Sequence, residues 1–133
     1  MRYLLDTNIV SAFMRDPASP VLQHIEEVGS GEVSTSIIVA AEPRFGAARQ
    51  REPRLVERVE AALGQLTILP WDAPAERAYG DIRAHLESAG TPIGANDLFI
   101  AAQALALNLT LVTDNVREFE RVPGLDVENW LRA

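Results

Sequence analysis

Several residue types are absent or scarce in this 133-residue chain. It contains no cysteine, two histidines and no lysine, so all 12 basic residues are arginine. Without cysteine there can be no disulfide, thiolate metal site or cysteine nucleophile, which fits a reducing compartment. Without lysine, Schiff-base chemistry and the P-loop lysine are also excluded. Any catalytic mechanism must therefore work without a thiol or a lysine amine.

Long apolar runs and a leader pattern are missing as well. No run approaches the roughly 18 residues of a membrane span, and Asp6 interrupts the apolar start too early for a signal peptide. We therefore expect a cytoplasmic protein without a membrane partner. The 47% of hydrophobic and 23% of charged residues are typical of a globular protein. One domain of residues 1–133 is expected, large enough to bury about two-thirds of its unfolded surface.

An excess of positive charge is also lacking. The net charge of −7 argues against a nucleic-acid partner held by bulk electrostatics. Five arginines nevertheless fall within fifteen positions: Arg44, Arg49, Arg51, Arg54 and Arg58. Because glutamates are interspersed among them, the simplest interpretation is a solvated helix face.

Short apolar segments alternate with amphipathic ones along the chain. Strands are predicted at residues 2–5, 32–36, 67–69, 109–113 and 125–128. Helices are predicted after residue 6, at 19–28, 37–48, from 53, at 73–88 and from 98. This alternation predicts an α/β fold, a three-layer sandwich with a mostly parallel central sheet.

Carboxylates recur where predicted strands and helices meet. Asp6 and Asp114 follow strands, Asp97 precedes a run of nine apolar residues in ten, and Glu42 lies early in a helix. Singly, these residues could be helix caps, turn residues or an exposed glutamate. Together they can meet at the carboxyl edge of the sheet, where α/β proteins gather function.

A cluster of like charges favours a hard divalent cation with oxygen ligands. Mg²⁺ suits one or two carboxylates plus water, and Mn²⁺ is the alternative. Zinc would be expected to recruit histidine, but His24 and His85 lie in the middle of predicted helices. We interpret both histidines as structural or surface residues.

Four segments together resemble the PIN-domain ribonucleases, specifically the VapC toxins of bacterial VapBC toxin–antitoxin systems, over essentially the whole chain. The segments are LLDTN at 4–8, STSIIVAAEPRFG at 34–46, GTPIGANDLFIAAQALALNLTLVTDN at 90–115 and NVREFERVPGLDVENW at 115–130. The resemblance implies a PIN-like fold with Asp6, Glu42 and Asp97 as catalytic acids, and Asp6 and Asp97 as metal ligands. We place the fourth acid at Asp114, with Asn115 and Glu118 as the alternatives.

The same resemblance implies a Mg²⁺-dependent endoribonuclease that cuts structured or single-stranded RNA by attack of an activated water. Arg44 and Arg49 are candidates to hold the RNA backbone. The implied partners are a VapB-type antitoxin and a second copy of the chain, with operator DNA reached only through the antitoxin. The apolar residues of the first helices could form either core or an antitoxin groove.

One departure from the family pattern supports a rival interpretation. Pro43 stands where relatives generally have leucine, and proline disturbs a helix and the residue before it. A PIN-fold binding module with impaired catalysis that engages an antitoxin is therefore the alternative. A receiver domain would need a lysine, and an aspartyl-phosphate phosphatase a second aspartate at the position of Asn8.

Overall fold

The computed structural model describes residues 1–16 and 18–132. Its strands are β1 Tyr3–Leu5, β2 Val33–Ser36, β3 Thr67–Leu69, β4 Thr110–Val112 and β5 Val127–Glu128. Its helices are α1 Thr7–Arg15, α2 Pro20–Val28, α3 Ile37–Gln50, α4 Pro53–Leu63, α5 Ala73–Ser88, α6 Ala95–Ala106 and α7 Val116–Phe119. A short 3₁₀ turn, Ser30–Glu32, leads into β2.

The five strands form one sheet in the order β3-β2-β1-β4-β5, and every neighbouring pair is parallel. The predicted α/β class and parallel sheet are confirmed. The chain runs outwards from β1 through β2 to β3, then returns to place β4 on the other side of β1. The switch point of the topology therefore lies between the carboxyl ends of β1 and β4, where a crevice is expected.

Helices cover both faces of this sheet. Because crossovers between parallel strands are almost always right-handed, we expect α1 to α4 on one face and α5 and α6 on the other. In agreement with this, α1 packs against α2, α3 and α4, and α5 packs along α6. Within the part of the chain described, no helix is both long and apolar enough to cross a bilayer.

Strand β2 is buried along its whole length although three of its four residues carry hydroxyls. Ser34 Oγ donates to the carbonyl of Tyr3 at 2.8 Å, and Thr35 Oγ1 donates to the carbonyl of Leu5 at 2.9 Å. These bonds satisfy groups that would otherwise be costly to bury. They also tie β2 to β1 close to the point where β1 ends.

The first strands and α5 follow the sequence prediction closely, whereas other boundaries differ. The apolar helix begins at Ala95, three residues earlier than predicted, so Asp97 lies inside its first turn. Apolar periodicity could not reveal a first turn made of Ala95, Asn96 and Asp97. Helix α7 was not predicted, because four residues are too few to show a period.

Candidate active site

Asp6 is the innermost carboxylate at the switch point. It caps the N-terminus of α1, and its side chain is only 3% exposed. Oδ1 accepts a hydrogen bond from the Thr7 amide at 2.8 Å, and Oδ2 accepts one from Thr113 Oγ1 at 2.7 Å. Burial raises the pKa of Asp6; these two hydrogen bonds lower it in part, while the charge of Glu118 raises it further. Asp6 is thus a helix cap, as its simplest interpretation had it, and also a fixed member of a charged cluster.

Asp97 and Glu118 form the second part of this cluster. Asp97 is the third residue of α6, where the helix dipole favours a negative charge. Burial, followed by the hydrogen bond and negative charge of Glu118 and the charge of Asp6, nevertheless raises the pKa of Asp97 to about 7. The proximity of the two carboxyl groups thus raises the pKa of Asp97 and lowers that of Glu118.

Glu118 is held in place by the chain around it. Its Oε1 accepts from the Gly94 amide at 3.0 Å, and its Oε2 accepts from the Asn115 side-chain amide. Burial alone would raise the pKa of Glu118, but the hydrogen bonds from Asp97, Gly94 and Asn115 outweigh it and lower the pKa. We call Asp6, Asp97 and Glu118 the acidic site.

Asp114 points elsewhere. Its backbone N–H donates to Asn8 Oδ1 at 3.1 Å, which joins the turn after β4 to α1. Its carboxylate accepts from Asn129 Nδ2 at 2.9 Å and lies 3.4 Å from Arg132 Nε. Three residues were candidates for the fourth acid. Glu118 lies beside Asp97, and Asn115 donates a hydrogen bond to Glu118. Asp114 instead contacts the C-terminal segment.

Glu118 was the weakest of those candidates on sequence grounds. The available signal was its spacing from Asn115, because an asparagine followed three residues later by glutamate is typical of a helix start. That pattern places Asn115 at the N-cap and Glu118 on the first turn of α7, directed back toward the strand end. The family pattern by itself pointed to Asn115 and its acidic neighbour Asp114, and it favoured Glu118 less.

Glu42 and the arginines after it lie on α3, which begins where β2 ends beside β1. Glu42 is exposed on the second turn of this helix. Arg44 makes a two-point contact with Glu60 on α4, with N–O distances of 3.0 and 3.1 Å. The guanidinium of Arg49 lies over the ring of Phe45 at 5.5 Å. Arg44 is therefore already paired with a carboxylate, and Arg49 lies over an aromatic ring.

The histidines are placed as expected of structural and surface residues. His24 stacks on the buried Trp130 with ring centroids 5.0 Å apart, and His85 is exposed on α5. Among the residues described, no group of three or more histidines, aspartates or glutamates is arranged so that it could hold a metal ion as it stands. The acidic site nevertheless has the donor set of a hard cation, since close carboxylates with one strongly raised pKa are what a bound cation would relieve.

A substitution at Glu118 tests the proximity of the two carboxylates. We expect Glu118→Gln to lower the pKa of Asp97 from about 7 toward its ordinary range, because the negative charge beside it is removed. The measurement is a carbon-13 NMR titration of the aspartate carboxyl groups in metal-free protein. Glu120→Gln, two residues further along the chain and exposed, is the control. An unchanged Asp97 titration in Glu118→Gln would contradict the assignment.

Fold and site together define a class: an all-parallel α/β domain with a carboxylate cluster at its topological switch point. The PIN domain family model matches residues 3–125. Ribonuclease VapC2 of Rickettsia felis is 38% identical over 133 residues, covering 98% of each chain. The tRNA(fMet)-specific endonuclease VapC of Shigella flexneri is 34% identical over 131 residues, again covering 98% of each.

A solved structure agrees with these sequence relatives. The crystal structure of VapBC2 from Rickettsia felis bound to a DNA fragment from its promoter contains a chain with a TM-score of 0.90 and 34% identity, covering 98% of this chain and 99% of that one. The chain described here belongs to the PIN domain family. Within that family it belongs with the VapC ribonucleases, as its sequence motifs predicted.

Proposed function

We propose that this protein is a Mg²⁺-dependent endoribonuclease toxin of a type II toxin–antitoxin system, which cleaves structured or single-stranded RNA by attack of an activated water. The observation that carries the proposal is the acidic site at the switch point, where the pKa of Asp97 is raised to about 7 beside Glu118 and Asp6. Close negative charges disfavour the folded state unless a cation compensates them. Binding of a metal ion would explain why these carboxyl groups lie together.

The side chains have distinct roles in this proposal. Asp6 and Asp97 would hold the cation, with Glu118 in place of Asp114 as the further acid. Thr113 and the Thr7 amide fix the orientation of Asp6. Bound Mg²⁺ supplies Lewis acidity and lowers the pKa of a water. In-line attack of water on phosphorus breaks the bond to O3′ and leaves a 5′-phosphate and a 3′-hydroxyl; Glu42 would position that water.

We further propose a VapB-type antitoxin as the partner of this chain. Support comes from the solved relatives, which are VapBC complexes from Rickettsia felis, Salmonella typhimurium and Haemophilus influenzae. An acidic site is a suitable target for a basic inhibitory segment, and contact with operator DNA would then be made through the antitoxin. A homodimer of the toxin completes the expected assembly.

The first helices supply both core and a surface for such a partner. Val10, Val21 and Ile25 are buried and belong to the core. Phe13, Leu22 and Ile25 also line a groove of about 500 Å³ beside α2. This groove is our candidate surface for antitoxin contact, whereas Val10 and Val21 belong to the core alone.

The alternative function is a PIN-fold module that binds an antitoxin but no longer cleaves RNA. The observation in its favour is Pro43, which lies inside α3 directly after Glu42. Helix α3 nevertheless runs through Pro43 without interruption from Ile37 to Gln50. We therefore favour the active nuclease, and the two proposals differ in whether purified protein cuts RNA.

The test is cleavage of total cellular RNA by antitoxin-free protein, with Mg²⁺ and with EDTA, compared with the Asp6→Asn variant. Asparagine is as good a helix cap as aspartate, so the fold should persist while the charge is lost. We expect discrete cuts with Mg²⁺, none with EDTA, and a loss of about a hundredfold or more in the variant.

Circular dichroism and binding to a VapB-type antitoxin serve as folding controls in this experiment. Wild type that binds antitoxin but leaves RNA intact with Mg²⁺ would favour the binding module. Cleavage that survives both EDTA and Asp6→Asn would show that the nuclease does not use the acidic site.

A further inference from the structure

A second feature lies beside the acidic site. A groove of about 630 Å³ is lined by Asp114, Asn115, Val116, Arg117, Asn129 and Arg132, which we call the arginine groove. We propose that the arginine groove binds the phosphodiester backbone of the RNA that enters the acidic site, with Asp114 as the counter-ion of Arg132. This inference rests on the proposed nuclease function and assigns a role to residues outside the carboxylate cluster.

The groove is joined to the acidic site by short connections. Asn115 lines the groove and its side chain donates to Glu118, a member of the acidic site. The amide of Asn115 also donates to Thr113 Oγ1 at 3.0 Å, and that hydroxyl in turn donates to Asp6. The groove therefore lies next to the acidic site.

The lining contains the charged and polar groups that an extended anion needs. Five of the six lining residues are polar or charged, and two are arginines. Guanidinium groups match phosphate through two parallel hydrogen bonds, and this chain has no lysine that could serve instead. Because the net charge is −7, phosphate must be attracted by local arginines and not by the overall field.

The Arg132 side chain is able to leave the Asp114 carboxylate and bind a phosphate instead. It is 77% exposed and lies 3.4 Å from an Asp114 oxygen, at the long end of ion-pair distances. Exposed pairs of this kind contribute little to stability, so a phosphate can replace the carboxylate as the partner. Asn129, which donates to Asp114 at 2.9 Å, would keep that carboxylate in place during the exchange.

Arg117 supplies the second positive charge. It is exposed on α7, one residue before Glu118, and it forms no ion pair with a carboxylate of the residues described. The short helix thus presents Glu118 to the acidic site and Arg117 to the groove. Arg44, by contrast, would have to release its two-point contact with Glu60 before it could bind phosphate.

The experiment measures RNA binding in EDTA, where cleavage does not interfere. The probe is a fluorescein-labelled single-stranded oligouridylate of about ten nucleotides, followed by fluorescence anisotropy across a salt series. We expect Arg117→Ala and Arg132→Ala each to weaken binding about tenfold. Each should also reduce the slope of log K against log salt by about 0.7, the value for one lost phosphate contact. Arg132→Lys should restore part of the affinity.

Asp114→Asn is the sharper variant, because the proposal predicts a gain. Removing the counter-ion of Arg132 should strengthen RNA binding by about threefold, the range of an exposed ion pair. The matched controls are Arg2→Ala and Glu32→Gln, an exposed pair with an N–O distance of 2.8 Å at the opposite, amino edge of the sheet. They make the same changes in net charge and should leave binding and cleavage as in wild type.

Several results would overturn the proposal. If the groove variants bind the oligonucleotide as their controls do, the groove does not bind RNA phosphate. The same result is expected if the groove holds an acidic peptide instead. Asp114→Asn that binds as wild type but no longer cleaves RNA with Mg²⁺ would make Asp114 a catalytic acid. In cleavage assays, Arg132→Ala should raise KM more than it lowers kcat, and the reverse pattern would contradict a binding role.

The experiments distinguish a wrong proposal for the arginine groove from a wrong proposal for the nuclease function. If wild type cleaves RNA while all groove variants bind normally, the nuclease proposal stands and the arginine groove is rejected. If wild type does not cleave but the arginine variants lose binding and Asp114→Asn gains it, the groove stands as a nucleic-acid site on an inactive enzyme.

Discussion

Replacing Asp97 by asparagine is expected to abolish RNA cleavage and to stabilise the metal-free fold. Activity should fall about a thousandfold or more, because the variant loses one of the two carboxylates that we propose as metal ligands. Stability should rise because burial, followed by the hydrogen bond and negative charge of Glu118 and the charge of Asp6, disfavours the ionised carboxylate and raises its pKa to about 7. Asparagine has almost the same shape but carries no charge.

The raised pKa of Asp97 makes the free energy of unfolding depend on pH. The pKa of Asp97 is near 3.9 in the unfolded chain and about 7 in the folded one, so the folded state binds more protons between these values. The contribution of Asp97 to stability is therefore fully present below about pH 4 and is lost as pH rises through 7. A shift of this size at a partly exposed site should amount, after screening by water, to about 1 kcal/mol.

Thermal unfolding of metal-free wild type and Asp97→Asn at pH 5 and pH 8 provides the measurement. The variant should melt about 3–5 °C higher at pH 8, with a smaller difference at pH 5. Asp81→Asn, an exposed aspartate on α5, is the matched control for loss of one charge. A variant that is less stable than wild type at pH 8 would show that Asp97 is held by favourable contacts and not by strain.

Mg²⁺ should reverse the order of stability. A cation that binds only the folded state raises the free energy of unfolding with its concentration, and wild type retains the ligand that the variant lacks. Because Asp97 must release its proton to bind metal, affinity for Mg²⁺ should increase between pH 6 and pH 8. Calorimetric titration in two buffers of different ionisation enthalpy would detect the released proton.

Replacing Pro43 is expected to raise the stability of α3 by about 2 kcal/mol. Proline lacks an amide hydrogen, so the carbonyl of Val39 has no i to i+4 partner inside a helix that otherwise continues to Gln50. Interior proline is the least favourable residue for a helix, although loss of its rigidity in the unfolded chain offsets part of the gain. Pro43→Ala and Pro43→Leu should both melt about 6–10 °C higher.

The two variants also test the rival function. If Pro43 misdirects Glu42, both substitutions should increase cleavage, since they restore the same backbone hydrogen bond. A change confined to Pro43→Leu would point to side-chain contacts in the groove that Pro43 lines with Met14 and Leu55. Unchanged activity with higher stability would show that α3 positions Glu42 despite the proline. Variants that melt below wild type would contradict the helix argument itself.

The contrast between Glu118 and Asp114 shows what the family pattern could predict and what it could not. It indicated an acidic position near residue 115, because the segment that follows β4 resembles the motif of the PIN ribonucleases. It could not choose between two carboxylates four residues apart. That choice depends on α7, a single helical turn that carries Glu118 back to the Gly94 amide and leaves Asp114 with Asn129 and Arg132.

Local signals in the sequence by themselves determined the succession of strands and helices apart from α7, the parallel α/β class, and the placement of Asp6 at the end of β1 and of Asp97 near the start of α6. They sufficed because caps and apolar periodicity act over a few residues. The tertiary structure alone decided that β4 lies beside β1, which carboxyl groups lie together, and which arginines line a groove. These depend on contacts between residues that lie from about twenty to about a hundred positions apart, the most distant being that of Asp6 with Thr113, and no local pattern encodes them.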